Sequence, residues 1–260
     1  MLRDLYHFSL LWQIFCCKSQ FKTLIMKKVF SGLALAGSLL INAQEKQQSI
    51  SSKSPITFGI KAGFNASTLS TGKADNVDNN QKLKLGSHIG VFFNIPVAEK
   101  FSVQPELLFS QMGSKTEGKY TYGSALDNQF IRQEFNYKTN LNYLVLPVMV
   151  QYHILPQLYV EAGPEFGFLL GGKVEGDQRA ENTYNGTVSI YNESFSNKIS
   201  MDLYNRFNFG IGIGAGYYFT QNFGVTARFT AGITDIFKHD YYNNKVRNNV
   251  LQVGVAYKFK

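Results

Sequence analysis

The chain has 260 residues, of which 15% are aromatic and 17% charged, and a formal net charge of +8. Half of that charge belongs to residues 1–43, which hold five of the 26 basic residues and one of the 18 acidic ones, so the basic balance gives no reason to expect a nucleic-acid surface. Both cysteines, Cys16 and Cys17, also lie in this segment. Residues 44–260 therefore have no thiol for a disulfide, a thiolate metal site or a cysteine nucleophile.

The first 55 residues have the pattern of export and lead-in segments ahead of one domain. Residues 26–43 combine two lysines, an apolar stretch and a small-residue end, which is typical of a secretory signal peptide. Residues 1–25 are interpreted as an over-extended reading frame that precedes a true start at Met26. The polar residues 44–55 are interpreted as a periplasmic lead-in to a domain over residues 56–260.

Eight segments of this domain alternate apolar and polar residues with period two. In the first, Phe58 and Ile60 alternate with Gly59 and Lys61, as expected when one side of a strand faces lipid and the other faces an interior. The predicted strands are residues 56–67, 85–95, 101–112, 140–152, 158–170, 204–219, 223–234 and 250–259.

The fourth strand is apolar on both sides, so the pattern alone leaves its register open. We expect four of its side chains to point outward: Leu144, Leu146, Val148 and Val150. Pro147 lacks the N–H that a strand ladder uses, which predicts a bulge or a local bend there.

The connections alternate between short and long. Residues 96–100, 153–157 and 220–222 are short, whereas residues 69–84, 113–139, 171–203 and 235–249 are long and polar. This alternation predicts an all-β fold, an eight-stranded antiparallel up-and-down transmembrane β-barrel with short periplasmic turns and long extracellular loops.

Aromatic residues gather at the short-turn ends of the predicted strands. Such a cluster predicts an interfacial girdle. Its members would be Phe58, Phe101, Tyr152, Tyr159, Tyr217, Tyr218, Phe219, Phe223, Tyr257 and Phe259.

Seven segments, in order along the chain, resemble the PorT-like family of outer membrane protein beta-barrel domains from Bacteroidetes-type bacteria. They are GIKAGFNAS (59–67), FSVQPELLFSQMG (101–113), NYLVLPVMVQY (142–152), YVEAGPEFGFLLGG (159–172), GIGAGYYF (212–219), ARFTAGITDI (227–236) and LQVGVAYKF (251–259). The resemblance implies an outer-membrane location and a barrel fold, but little about mechanism. The chain departs from the family pattern at Val145, where a polar residue is expected, and at Lys260, which follows the terminal aromatic residue.

Charged side chains on the inward faces predict a polar network inside the barrel. The candidates are Lys61, His88, Glu106, Glu161, Glu165, Arg228 and Lys258. Because the interior of an eight-stranded barrel is just wide enough for its own side chains, we expect these groups to fill it as hydrogen-bonded ion pairs. An ion pathway through the barrel is the alternative.

Catalysis is not expected. Glu161 and Glu165 are spaced by four along one strand, roughly 13 Å, which is too far for a paired-carboxylate mechanism. Asp235, His239 and Asp240 lie close together in the last long loop, which makes a rim-active hydrolase a remote alternative. No metal site or cofactor is predicted, and the common catalytic and nucleotide-binding motifs do not occur.

The long connections contain tyrosines among Asn, Ser and Thr, a composition that suits recognition. The candidates are Tyr120, Tyr122, Tyr184, Tyr191, Tyr241 and Tyr242. Residues 187–191 are also expected to extend a hairpin beyond the membrane. The sequence thus predicts a structural or interaction protein with a filled barrel, and the alternative is porin-like transport of small solutes or an accessory role in protein secretion. The expected partners are outer-membrane lipid, the barrel-assembly machinery and an extracellular or envelope protein, with no nucleic acid.

Overall fold

A computed structural model describes residues 55–71, 80–124, 129–238 and 245–259. The predicted signal peptide, the segment before it and nearly all of the lead-in lie outside these ranges. The strands are β1 (Thr57–Thr71), β2 (Asn80–Lys82), β3 (Lys84–Ala98), β4 (Phe101–Ser124), β5 (Gln129–His153), β6 (Leu158–Tyr184), β7 (Thr187–Lys198), β8 (Phe207–Tyr218), β9 (Phe223–Gly232) and β10 (Val246–Lys258). Within the described ranges, no helix is long and apolar enough to cross a membrane.

Eight of these strands close into a ring of antiparallel pairs. Around the ring the order is β1, β3, β4, β5, β6, β8, β9 and β10, and β10 pairs with β1 again. The predicted eight-stranded up-and-down barrel is therefore confirmed. The other two strands lie outside the ring, where β2 pairs with β4 and β7 pairs with β6.

Burial alternates along the strands as the period-two pattern requires. In β9, Val225 and Phe229 are exposed on the outside while Thr226 and Arg228 are buried in the lumen. The register chosen for the fourth predicted strand is also correct, since Leu144, Leu146 and Val150 in β5 are 40%, 44% and 48% exposed. Every residue of a strand reverses its face when the register moves by one, so a side-chain pattern this regular specifies the pairing.

The bulge predicted at Pro147 lies elsewhere. The pairing of β5 with β6 keeps one register on both sides of Pro147, and the shift occurs between Asn142 and Tyr143, which pair with Gly171 and Leu169. A proline removes one donor but adds no residue to its strand, whereas a bulge needs an extra residue. That extra residue is Leu170.

Three of the predicted long loops contain strands, and β2 lies in the first of them, residues 69–84. β4 and β5 continue as a hairpin to Ser124 and Gln129, and β6 continues to Tyr184 before β7 returns beside it. Asn185 and Gly186, with φ of 48° and 80°, form the tight turn that joins β6 to β7, as Asn-Gly favours in hairpins. The hairpin expected at residues 187–191 is confirmed. These segments were interpreted as loops because they are polar on both faces, but a paired strand in water has no need of an apolar face.

The aromatic girdle is present, with two corrections. At the short-turn end Phe58 stacks on Phe259 with ring centroids 5.3 Å apart, and Phe101 packs against Tyr152 at 5.1 Å. Tyr159 and Tyr218, however, are only 1% and 6% exposed and point into the lumen. Their outward-facing neighbours Val160 and Tyr217 already indicate this by alternation.

Candidate functional sites in the barrel interior and beyond it

Arg228 is the centre of a buried ion cluster in the half of the lumen nearest the short turns. Its Nη1 and Nη2 donate to the two carboxylate oxygens of Glu106 at 2.9 and 2.7 Å, and its Nε donates to Glu161 at 2.8 Å. The ammonium of Lys61 lies 3.3 Å from Glu106. Four of the predicted interior charges, from four strands, therefore form one connected network.

Amide and hydroxyl side chains complete this network. Gln104 donates to Glu106 at 2.8 Å, and Gln151 donates to Glu161 at 3.0 Å. Asn94 donates to Gln151 at 2.8 Å, so that Gln151 in β5 and Asn94 in β3 extend the network to six strands of the ring. The sequence analysis did not predict these neutral polar residues as members of the network. Their position on inward faces of the period-two pattern, like that of Glu106 and Glu161, was a signal that could have identified them. Buried charges require such hydrogen bonds because burial removes their water.

The three remaining predicted interior residues lie at the margins of this cluster. Glu165 is buried and accepts a hydrogen bond from Thr230 at 3.1 Å. His88 Nδ1 lies 2.7 Å from the side-chain oxygen of Asn65. Lys258 is half-buried at the short-turn end, with its ammonium 3.9 Å from the centre of the Tyr218 ring.

An apolar cluster fills the other half of the lumen. Its buried strand residues are Leu69, Leu108, Met112, Leu141, Tyr143, Val145, Leu169 and Val250, and Tyr204 and Ile236 reach it from outside the strands. The partly buried Ile199, Met201, Phe237 and Val246 pack against it. The predicted filling by ion pairs thus describes only one half of the barrel. Val145, which departs from the family pattern, belongs to this apolar half.

Two chain segments after β7 and β9 form a lid over the apolar cluster. Tyr204 and Phe237 pair across them, and the side-chain amide of Asn205 donates to the carbonyls of Asp235 and Phe237 at 3.0 and 2.8 Å. Asp235 accepts the backbone N–H groups of Phe237 and Val246. Asp235 is therefore engaged in holding the lid, while the other two members of the hydrolase hypothesis, His239 and Asp240, lie outside the described residues.

Beyond the ring, five strands form a further sheet at the end opposite the short turns, which we call the outer sheet. It comprises β2, residues 113–124 of β4, residues 129–139 of β5, residues 171–184 of β6, and β7. By the pairing register, its two faces continue the lumen side and the lipid side of the barrel wall. The described tyrosine candidates Tyr120, Tyr122, Tyr184 and Tyr191 all lie on the lumen-side face and are 42%, 53%, 56% and 65% exposed. Tyr241 and Tyr242 lie outside the described residues.

Aromatic rings form a continuous row on the lumen-side face of the outer sheet. The centroid distances are 6.0 Å from Tyr122 to Tyr120, 5.9 Å from Tyr120 to Phe135, and 5.8 Å from Phe135 to Tyr137. The Phe135 ring lies across Gly118, where an added Cβ would be 2.4 Å from it. Sequence inspection missed Phe135 and Tyr137 because their alignment with the tyrosines depends on strand pairing.

Charged side chains occupy the opposite, lipid-side face of the outer sheet. Lys115 contacts Glu117 at 2.7 Å, Lys82 contacts the same carboxylate, and Lys173 contacts Glu175 at 2.5 Å. Hydrogen bonds from Lys115 and Lys82 lower the pKa of Glu117 to about 2, and one from Lys173 lowers the pKa of Glu175. Both carboxylates therefore remain ionised at neutral pH.

A closed antiparallel ring with an apolar outer surface defines a transmembrane barrel of the bacterial outer membrane, in which the long connections are extracellular. Among the described residues, no group of three or more His, Cys, Asp or Glu is placed to hold a metal ion. The chain belongs to the family described as outer membrane protein beta-barrel domain, which matches residues 42–238.

Three solved outer-membrane proteins illustrate what the chain is similar to. Neisserial surface protein A is 12% identical over 79% of this chain and 100% of its own, with a TM-score of 0.42. Ail, the attachment invasion locus protein of Yersinia pestis, is 14% identical over 78% and 98%, with a TM-score of 0.38. OprG of Pseudomonas aeruginosa is 13% identical over 81% and 99%, with a TM-score of 0.33. No curated protein sequence matches the chain.

Proposed function

We propose that this protein is a non-conducting outer-membrane barrel that presents its outer sheet for recognition at the cell surface. The observation that carries the proposal is the filling of the lumen in both halves, by the Arg228 ion cluster and by the apolar cluster under its lid. A barrel filled in this way offers no continuous water path, so its activity lies outside the lumen. Porin-like transport of small solutes is the competing function.

The aromatic row on the outer sheet supports recognition as the role of the extracellular part. Four rings in sequence, with Gln133 and Gln178 on the same face, combine large rigid contact surfaces with adaptable hydrogen-bonding groups. A folded protein gains stability by burying such rings, so their exposure on a paired sheet favours a binding role. Tyr184 and Tyr191 extend this face onto β6 and β7.

Planar-bilayer conductance tests the filled lumen. The purified, refolded protein is expected to give no steady single-channel steps, because ions would have to pass both the Arg228 ion cluster and the apolar cluster under its lid. A known porin inserted in the same bilayers is the positive control. Reproducible channels of one conductance would overturn the non-conducting barrel and favour the transport function.

Substitution of the aromatic row tests recognition. Tyr120→Ser combined with Tyr122→Ser is expected to abolish retention of the protein on whichever immobilised glycans and extracellular or envelope proteins bind the wild type. Phe130→Ser is the matched control, since Phe130 is 46% exposed on the opposite face of the same hairpin. Equal losses in the two variants, or no binding by the wild type across the panel, would contradict the proposed role.

The proposal includes the finer assignments from sequence. Residues 26–43 act as the signal peptide for export, the barrel over residues 56–260 is of PorT-like type, and the barrel-assembly machinery inserts it into outer-membrane lipid. The recognised partner is an extracellular or envelope protein or glycan, and the protein has no catalytic role. An accessory role in secretion would use the same outer sheet.

A further inference from the structure

Five lysines form one row across all five strands of the outer sheet. They are Lys82 in β2, Lys115 in β4, Lys138 in β5, Lys173 in β6 and Lys198 in β7. Lys82 is directly opposite Lys115, Lys115 is opposite Lys138, and Lys173 is opposite Lys198. Lys138 is opposite Glu175, so Lys173 is its diagonal neighbour. We call this set the lysine row.

The lysine row is unfavourable for the sheet itself. Like charges directly opposite each other on neighbouring strands destabilise the pair, and this arrangement occurs at three of the four strand junctions, the exception being β5 with β6, where Lys138 is opposite Glu175. Glu117 and Glu175 are the carboxylates that contact members of the row among the described residues, and they reach Lys82, Lys115 and Lys173. Five positive and two negative charges leave an excess of three. A set of residues that destabilises its own strand pairing in this way is expected at a functional surface.

The row faces the membrane side of the molecule. Lys115 continues the outward alternation of Leu107 and Phe109 in β4, and Lys138 continues that of Leu144 in β5. Adjacent strands are about 4.8 Å apart, so five strands spread the row over roughly 19 Å around the circumference of the barrel. The row therefore runs across the strands, along the membrane surface.

The height of the lysine row above the apolar band of the barrel wall indicates which layer of the membrane it contacts. Lys115 is six residues beyond Phe109, the last large apolar residue on the outward face of β4. With a rise near 3.4 Å per residue and a strand tilt near 40°, this is about 15 Å for β4 and about 8 Å for β6, where Lys173 is three residues beyond the exposed Leu170, so the row lies at a level about 8–15 Å above the apolar band. That level is above the acyl chains and within the layer of headgroup sugars and phosphates. Outward-facing Gln111, Asn140 and Asn142 occupy the space between.

We propose that the lysine row binds the phosphorylated saccharide headgroups of the outer-leaflet glycolipid, and that it thereby fixes the height of the outer sheet on the membrane. Lysine ammonium groups on flexible stems suit a row of phosphates, each as a point charge. This inference is independent of the recognition proposed for the lumen-side face. A soluble linear polyanion is the rival occupant of the same row.

The test compares two double variants of the full-length protein purified in detergent. Lys138→Gln with Lys198→Gln removes the two row members that form no salt bridge in the described structure, and Lys138 loses only its longer-range attraction to Glu175. Lys100→Gln with Lys245→Gln is the matched control, because it removes the same charge from exposed positions outside the row. Heat-modifiable gel mobility verifies that both variants are folded.

Binding is measured to purified lipopolysaccharide, to the same lipopolysaccharide after chemical dephosphorylation, and to dextran sulfate. Each lysine near an anionic membrane surface contributes about fivefold, so the row variant is expected to bind lipopolysaccharide about 25-fold more weakly than wild type at low salt. The control pair is expected to stay within twofold of wild type, and dephosphorylation is expected to weaken binding as much as the row variant does. Equal losses in both pairs, unchanged binding after dephosphorylation, or tighter row-dependent binding of dextran sulfate than of lipopolysaccharide would each overturn the proposal.

Discussion

Replacing Arg228 with methionine is expected to lower the free energy of unfolding by about 3–5 kcal/mol, because removal of one partner leaves buried charges without compensation. Arg228 is 1% exposed and contacts both Glu106 and Glu161 through three short hydrogen bonds. Lys61 remains beside Glu106 but does not reach Glu161 within the described contacts. The measurement is reversible denaturant unfolding of the protein refolded into lipid vesicles.

Two controls separate the charge imbalance from simple loss of packing. The double variant Arg228→Met, Glu161→Gln keeps the Lys61–Glu106 pair and leaves no uncompensated carboxylate, and we expect it to recover most of the lost stability. Arg206→Met removes an exposed arginine and is expected to change stability by less than about 0.5 kcal/mol. An Arg228→Met variant as stable as wild type would show that the cluster does not stabilise the barrel.

Leu146→Arg is expected to destabilise the barrel by about 2–4 kcal/mol, since it places a charge on the lipid-facing wall near the middle of the apolar band. Leu146 is 44% exposed and is flanked on the same face of β5 by Leu144 and Val148. The same unfolding measurement in vesicles detects the change, and the fraction that folds during insertion is expected to fall with it.

Ile190→Arg is the matched control for this second prediction. Ile190 is 51% exposed in β7, outside the ring and on the same, lipid-side face of the wall. Because this strand is in water, the arginine is expected to change stability by less than about 0.5 kcal/mol. Equal effects of the two substitutions would contradict the assignment of β5 to the membrane and β7 to the extracellular space.

Local pattern was enough to predict the wall of the barrel. Each wall strand must present apolar side chains to lipid, so period-two alternation is visible in every segment except the fourth, β5, which is apolar on both faces. The same rule correctly placed Lys61, Glu106, Glu161 and Arg228 inside. It was misapplied at Tyr159 and Tyr218, whose aromatic character suggested the girdle although alternation pointed inward.

In the segments above the membrane, polar composition did not distinguish strands from loops. Residues 113–139 and 171–203 have few apolar residues, and without an apolar face the distinction between loop and strand depends on pairing with a neighbour. The Asn185-Gly186 turn was the one local signal for the hairpin of β6 and β7. The segment that carries Ile236 into the lumen had no periodic pattern, and Tyr204 was predicted as the first residue of the sixth strand, whereas β8 begins at Phe207.

The sequence by itself determined the fold, the compartment and which charges face inward. Each of these follows from the requirement that every wall strand presents one face to lipid and the other to the lumen. Only the tertiary structure decided that Arg228 meets Glu106 across 122 residues of chain, that an apolar cluster under a lid fills half of the lumen, and that five separate lysines form one row. These features depend on pairing register and ring closure, which bring together residues that have no relation in local sequence.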